Sequence, residues 1–179
     1  MNYRLFELVN DLAGRADSVD DLMEFAATWL IFPVFLVAAF LAARALRHRQ
    51  VRPVAEVGAA LLLAFAGGQL LAHLNGQLRP FQSHQVHQLI PHDPGVSLPS
   101  DHATAAFALA FAVLVFLSRG WGVVLTVAAV FVGLARVWVG VHYPGDIAAG
   151  AVLALLAVGA VAAYRRVRIS RTGSATVPG

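Results

Sequence analysis

The sequence predicts an all-α integral membrane protein, a bundle of about five transmembrane helices preceded by a short interfacial helix. Of its 179 residues, 59% are hydrophobic and 13% are charged. The mean hydropathy of +0.70 lies well outside the balance of an ordinary soluble domain. Apolar runs also recur along the chain at close to the ~20 residues that a bilayer core requires, and arginines collect at alternate ends of those runs.

Four runs reach the required length, residues 25–43, 54–74, 121–139 and 147–163; a fifth, 103–117, is shorter and depends on its flanks. Lipid offers no partner to backbone N–H and C=O groups, so such spans must be helices packed as a bundle. Residues 2–13 set Leu5, Phe6, Leu8, Val9 and Leu12 at roughly helical spacing, the pattern of a helix lying at the interface. No basic n-region with an apolar h-region and cleavage site opens the chain, so no removable signal peptide is expected. The small, polar residues 170–179 read as a disordered tail, and 1–169 as one domain without internal repeats. There is no cysteine, which excludes disulfides and thiolate metal sites.

The sequence pI of about 10.2 does not point to nucleic acid, because the positive charge is placed as topology markers. Arg44, Arg47, Arg49 and Arg52 separate the first two runs, Arg119 separates the third and fourth, and Arg165, Arg166, Arg168 and Arg171 follow the fifth. If the spans alternate, all of these fall on one side, and the positive-inside rule makes that side cytoplasmic. The C-terminus is then expected inside, and the segments 75–102 and 141–146 outside.

The outer face so defined gathers Arg79, Ser100, Asp101, His102, Arg136, His142 and Asp146. Ionisable groups at membrane depth are costly and need partners or a wet cavity. Arg79 and Arg136 offer forked donors that match phosphate oxygens. Ser100 stands where an N-cap belongs, beside free amides that favour an anion. In His142-Tyr143-Pro144-Gly145-Asp146, Pro144 suits the first turn of a helix, and the turn can return the carboxylate to one imidazole nitrogen. The other nitrogen is then free to attack phosphorus, and His102 is the natural proton donor to the leaving oxygen. Each residue has an ordinary reading when taken singly: a cap, an interfacial histidine, a snorkelling anchor. Their convergence on one face favours chemistry.

These residues resemble the signature of the type 2 phosphatidic acid phosphatase superfamily, KxxxxxxRP, PSGH and SRxxxxxHxxxD. Here the second piece is Pro99-Ser100-Asp101-His102, and the third runs from Arg136 through His142 to Asp146 in matching register. The stretch RPFQSHQVHQLIPHDPGVSLPSDHAT, residues 79–104, and LFELVNDLAG near the start are similar to undecaprenyl pyrophosphate phosphatases of the bacitracin-resistance type. The resemblance implies a phosphohistidine on His142 oriented by Asp146, protonation by His102, phosphate binding by Arg79, Ser100 and Arg136, no metal and no cofactor. It implies a polyprenyl pyrophosphate substrate in a bacterial plasma membrane. Three positions depart from the signature: Ala72 replaces its lysine, Ala135 its serine, and Asp101 its glycine. His73, Asn75 or Gln77 are candidates to stand in for the lysine, and Asp101 is expected to pair with an arginine or the helix N-terminus and face away from phosphate. Three alternatives share parts of this pattern: a phosphatase for phosphatidic acid or phosphatidylglycerol phosphate, a non-catalytic anion transporter, and a vanadate haloperoxidase, which the five spans disfavour. His84, His87, His92 and Asp93 contain zinc-ligand types at irregular spacing and read better as a loop over the site.

Overall fold

The computed structural model describes residues 2–174, and among them the secondary structure is helical apart from one isolated bridge between Leu78 and Val96. The helices are α1 (Asn2–Asn10), α2 (Asp17–Thr28), α3 (Ile31–Arg47), α4 (Val51–Leu74), the single turn α5 (Pro80–Ser83), α6 (Asp101–Ala112), α7 (Arg119–Trp138) and α8 (Pro144–Ser174). A π-helical turn, Val113–Leu117, extends α6.

By length and apolarity α4, α7 and α8 qualify as membrane spans, and α2 with α3 makes a fourth if that bent pair is one span. The first expected span, 25–43, is therefore corrected: it is two helices meeting at a 45° bend. Proline explains the place. Pro33 has no N–H and its ring collides with the carbonyl four residues earlier, which belongs to Trp29, and α3 restarts at Ile31. The helix α8 runs on to Ser174 and so takes in the first residues, 170–174, of the segment read as a tail. Residues 175–179 of the expected tail lie outside the described residues.

The short helix α6 occupies the centre, packed against α3, α4, α7 and α8. Eight of its twelve residues are buried, among them Ala103, Ala106, Ala108, Ala110 and Ala112. Such small residues let helix backbones approach closely where lipid supplies no hydrophobic drive for association. Gly150 of α8 shows how close: a Cβ there would meet Thr104 Oγ1 at 2.7 Å and its amide nitrogen at 2.9 Å. This contact brings the starts of α6 and α8 together at one end of the bundle.

The N-terminal helices brace that end. Asn10 is buried; its Nδ2 donates to the carbonyls of Trp138 (2.7 Å) and His87 (2.9 Å), and its Oδ1 accepts the His87 amide. Asp20 accepts from Trp138 Nε1 at 2.8 Å and from the Gly14 amide at 2.9 Å. Sequence periodicity placed α1 at an interface; its buried Phe6 also packs on Tyr143, edge to face at 5.6 Å.

At the opposite end α4 and α8 frame a cavity of about 400 Å³, lined by Arg52, Glu56, Tyr164, Arg165 and Arg168 above an alanine-rich floor. It is remote from the histidines of the PSDH and HYPGD segments.

Candidate active site

Two turns position the central residues. α7 ends at Gly140, whose φ of +83° is the left-handed conformation of a helix C′ residue. The amides of Gly140, Val141 and His142 fold back on the carbonyls of Val137 (3.1 Å) and Arg136 (3.3 Å each). The chain reverses at once, so Arg136 on the last turn of α7 and His142 beyond it share one end of the bundle. α8 then opens with Pro144 at its first position, and Asp146 at the third reaches back to accept the Tyr143 amide at 2.8 Å, the third-residue half of a capping box.

Asp146 is fully buried. Neutral donors surround its carboxylate: the Tyr143 amide, a short hydrogen bond from Ser97 Oγ, and Gln77 Nε2 at 3.4 Å on the other oxygen. His142 Nδ1 lies 3.3 Å from Oδ2. On the far side of the imidazole, Arg79 NH1 is 2.9 Å from Nε2. A guanidinium only donates, so Nε2 accepts and Nδ1 carries the proton that faces Asp146. Burial pulls the His142 pKa down to about 4, opposed by the Asp146 hydrogen bond and reinforced by Arg136 and Arg79. The ring is neutral at physiological pH, with its lone pair on Nε2.

Arg79 also donates to the Val141 carbonyl at 3.3 Å, and Arg136 NH1 to the Ala27 carbonyl at 3.3 Å. The Nε atoms of both are buried without a hydrogen-bond partner. Burial lowers the Arg79 pKa, and Asp101 and Asp146 oppose the shift. Neither arginine forms an ion pair among the described residues. Two under-used guanidiniums beside a basic imidazole nitrogen form a cradle for an anion.

Ser100 is buried and caps α6, its Oγ accepting from the Ala103 amide at a long 3.5 Å; its own amide donates to the Asp146 carbonyl at 3.3 Å. His102, one residue into α6, is partly exposed and within electrostatic reach of Arg136, His92 and Arg79.

The PAP2 superfamily profile matches residues 53–170. The chain belongs to the PAP2 superfamily. This PAP2 chain is 33% identical over 158 residues to undecaprenyl-diphosphatase BcrC of Bacillus subtilis, covering 87% of the chain and 80% of that relative. In fold it is similar to LpxE of Aquifex aeolicus, with a TM-score of 0.76 at 24% identity over 91% of this chain and 95% of the other. A PAP2-type phosphatidylglycerolphosphate phosphatase from Bacillus subtilis superposes with a TM-score of 0.72 at 19% identity, covering 92% and 86%.

The PAP2 chain thus brings Arg79, Ser100, His102, Arg136, His142 and Asp146 to one end. Asp101 is exposed on the first turn of α6, within electrostatic reach of Arg79. Of the candidates to replace the absent lysine, Gln77 touches Asp146, whereas His73 is exposed on the last turn of α4. Asn75 accepts the Gln77 amide at 2.8 Å and so shapes the approach of Gln77. Ser97 was not foreseen. It is one more small polar residue in a loop, and its partner is 49 positions away.

Proposed function

We propose that this protein hydrolyses undecaprenyl pyrophosphate to undecaprenyl phosphate and inorganic phosphate at the extracytoplasmic membrane face, through a phosphohistidine on His142. The observation that carries this is the tautomer at His142: Asp146 holds Nδ1–H, and the Nε2 lone pair faces Arg79 beside Arg136, two guanidiniums that form no ion pair among the described residues.

Nε2 attacks the terminal phosphorus in line. The bond to the bridging oxygen breaks and its electrons leave with undecaprenyl phosphate. In the free site burial, Arg136, His92 and Arg79 lower the His102 pKa to about 4; the bound diphosphate offsets those guanidiniums, so His102 takes a proton and supplies it to that oxygen. His102, now neutral, takes a proton from water as the hydroxide oxygen bonds to phosphorus and the N–P bond breaks. This regenerates neutral His142 and releases phosphate. Arg79 and Arg136, with the amides at the start of α6, carry the charge that develops on the phosphoryl oxygens. They fill the electrostatic role a metal plays elsewhere, so the reaction is proposed to be metal-independent. Arg79 has a second part: its hydrogen bond to Nε2 caps the nucleophile, and an arriving phosphate exchanges for that contact.

The site lies at the membrane surface, which suits a lipid whose tail stays among the helices. The similarity to undecaprenyl-diphosphatase BcrC favours a polyprenyl diphosphate over phosphatidic acid or phosphatidylglycerol phosphate, and the positive-inside rule supports a cytoplasmic position for the arginine-rich end.

The test is phosphate release from undecaprenyl pyrophosphate by the detergent-purified protein in chelator, with phosphatidic acid as competitor and His142→Ala alongside. Release by wild type, loss in the variant of at least 10³-fold, and weak competition are expected. Equal release by the variant would remove His142 from the role of nucleophile, release by neither protein would leave an anion-binding transporter as the better account, and preference for phosphatidic acid would reassign the substrate.

The same assay has a pH signature. Because the His142 pKa is lowered to about 4, the nucleophile is free throughout the neutral range and is lost by protonation only as pH falls through about 4. The acid limb of kcat/KM, corrected for substrate ionisation, should therefore lie well below the ~6.5 of an ordinary histidine. A limb at 6–7 would contradict that assignment.

A further inference from the structure

The segment between α5 and α6 carries three histidines, and they face different ways. His84 stacks on Tyr3 with ring centroids 3.8 Å apart, and the backbone of His87 is held by Asn10. Both side chains are exposed and belong to the seam with α1. His92 is half-buried and turns toward the site. Its ring lies 6.3 Å from that of His142 at 82°, with Phe81 behind it at 6.5 Å. None of the signature motifs contains it.

We infer that His92 is the binding group for the second, non-transferred phosphate of a diphosphate headgroup, and that this subsite gives the protein its preference for diphosphate over monophosphate ligands. The inference deepens the proposed function and rests on His142 as the group that meets the terminal phosphorus.

The spacing suits one anion held between two rings. A centroid separation of 6.3 Å is too long for a hydrogen bond between the imidazoles. The rings leave a gap in which a phosphate chain met at its terminal phosphorus by His142, at an approach of about 3–3.5 Å, can bring an oxygen of its next phosphate within the about 2.7–2.9 Å of a charge-assisted hydrogen bond to His92. The orientation is also suitable. His92 Nδ1 lies 3.2 Å from the Asp93 carbonyl oxygen, so Nδ1 carries a proton and Nε2 is the nitrogen left for a ligand.

Charge explains why a diphosphate gains more than a monophosphate. Burial lowers the His92 pKa and Arg79 and Arg136 lower it further, against a backbone hydrogen bond at Asp93. An anion in the cradle offsets the two guanidiniums, and His92 can then take a proton and donate from both nitrogens. A monophosphate is already served by Arg79, Arg136 and the α6 amides. The extra phosphate, one bridging oxygen further on, has no arginine of its own.

The test uses the full-length protein in detergent, with inorganic pyrophosphate and orthophosphate as probes. Calorimetry gives their Kd values for wild type, His92→Ala and His92→Gln, and phosphate release from undecaprenyl pyrophosphate is measured in parallel. Wild type should bind pyrophosphate at least tenfold more tightly than orthophosphate. His92→Ala should remove that difference while orthophosphate binding stays within threefold, and KM for the lipid should rise about tenfold. His92→Gln, which keeps a donor, should recover part of the loss. Equal weakening of both anions would place His92 on the transferred phosphoryl group or in folding, and no weakening would remove it from the site; either result overturns the inference. If wild type shows the pyrophosphate preference but releases no phosphate from the lipid, the subsite stands and the proposed reaction fails.

Discussion

Two buried carboxylates at opposite ends of the bundle have opposite relations to their arginines. Glu56, near the start of α4, is 9% exposed and is consumed by guanidiniums: Arg52 Nε lies 3.0 Å and Arg165 NH1 3.2 Å from its oxygens. Asp146, at the start of α8, is fully buried with Arg79 and Arg136 nearby, yet neither pairs with it. Its oxygens take hydrogen bonds from a serine, a backbone amide, a glutamine and a histidine. At the Glu56 end charge is spent on holding helices together. At the Asp146 end the carboxylate is satisfied by neutral groups, so the arginines remain available to an anion. A salt bridge from Asp146 to Arg79 would satisfy both partners and weaken the phosphate cradle.

The sharpest way to break this arrangement is Asp146→Asn. The amide preserves shape and can keep its carbonyl under the three donors that meet Oδ2, but it removes the negative charge that holds Nδ1–H and balances the imidazolium formed when Nε2 bonds phosphorus. Turnover should fall on the order of 10²- to 10⁴-fold, with the larger loss in kcat; a loss below tenfold would mean that Asp146 does not orient His142. Ser97→Ala removes one neutral donor and leaves the others. A hydrogen bond to a charged group contributes about 1.5–3 kcal/mol, so activity should fall about tenfold or somewhat more. Unchanged activity would show that the remaining donors hold the carboxylate alone.

The two ends also differ in how far the sequence exposed them. The Asp146 end was legible because its chemistry is written locally: Pro144 and Asp146 specify a helix start and Ser100 a cap, each within a few residues of the histidine it positions. Ser97 escaped because its meaning depends on a partner brought close only by the packing of α6 on α8. Glu56 escaped for the same reason, since Arg165 is 109 positions away, although its pairing with Arg52 follows the i,i+4 rule. The arginines themselves were visible, but as topology markers; counting them by side said nothing of which carboxylate would gather them. Hydropathy located the spans and overlooked the bend near Trp29, because an apolar run stays continuous across a break that Pro33 imposes through the backbone.

The smallest expected effect sharpens the comparison most directly. Glu56→Gln removes a buried charge but keeps an oxygen that can accept from Arg52 or Arg165. The side chains of those arginines are 52% and 40% exposed, so they can turn to water or lipid phosphate and leave no buried charge stranded. The pair therefore resembles a surface ion pair, worth at most about 1 kcal/mol, more than a fully buried one, whose disruption costs about 3–5 kcal/mol. Thermal unfolding in detergent should shift by no more than a few degrees, and phosphate release from undecaprenyl pyrophosphate should stay within twofold of wild type. The active end shares no side chain with Glu56, so a large fall in turnover without loss of fold would mean that the two ends communicate along α4 and α8. The division of labour between the carboxylates would then be wrong, because the acid that holds the helices would also be setting the geometry in which His142 meets phosphorus.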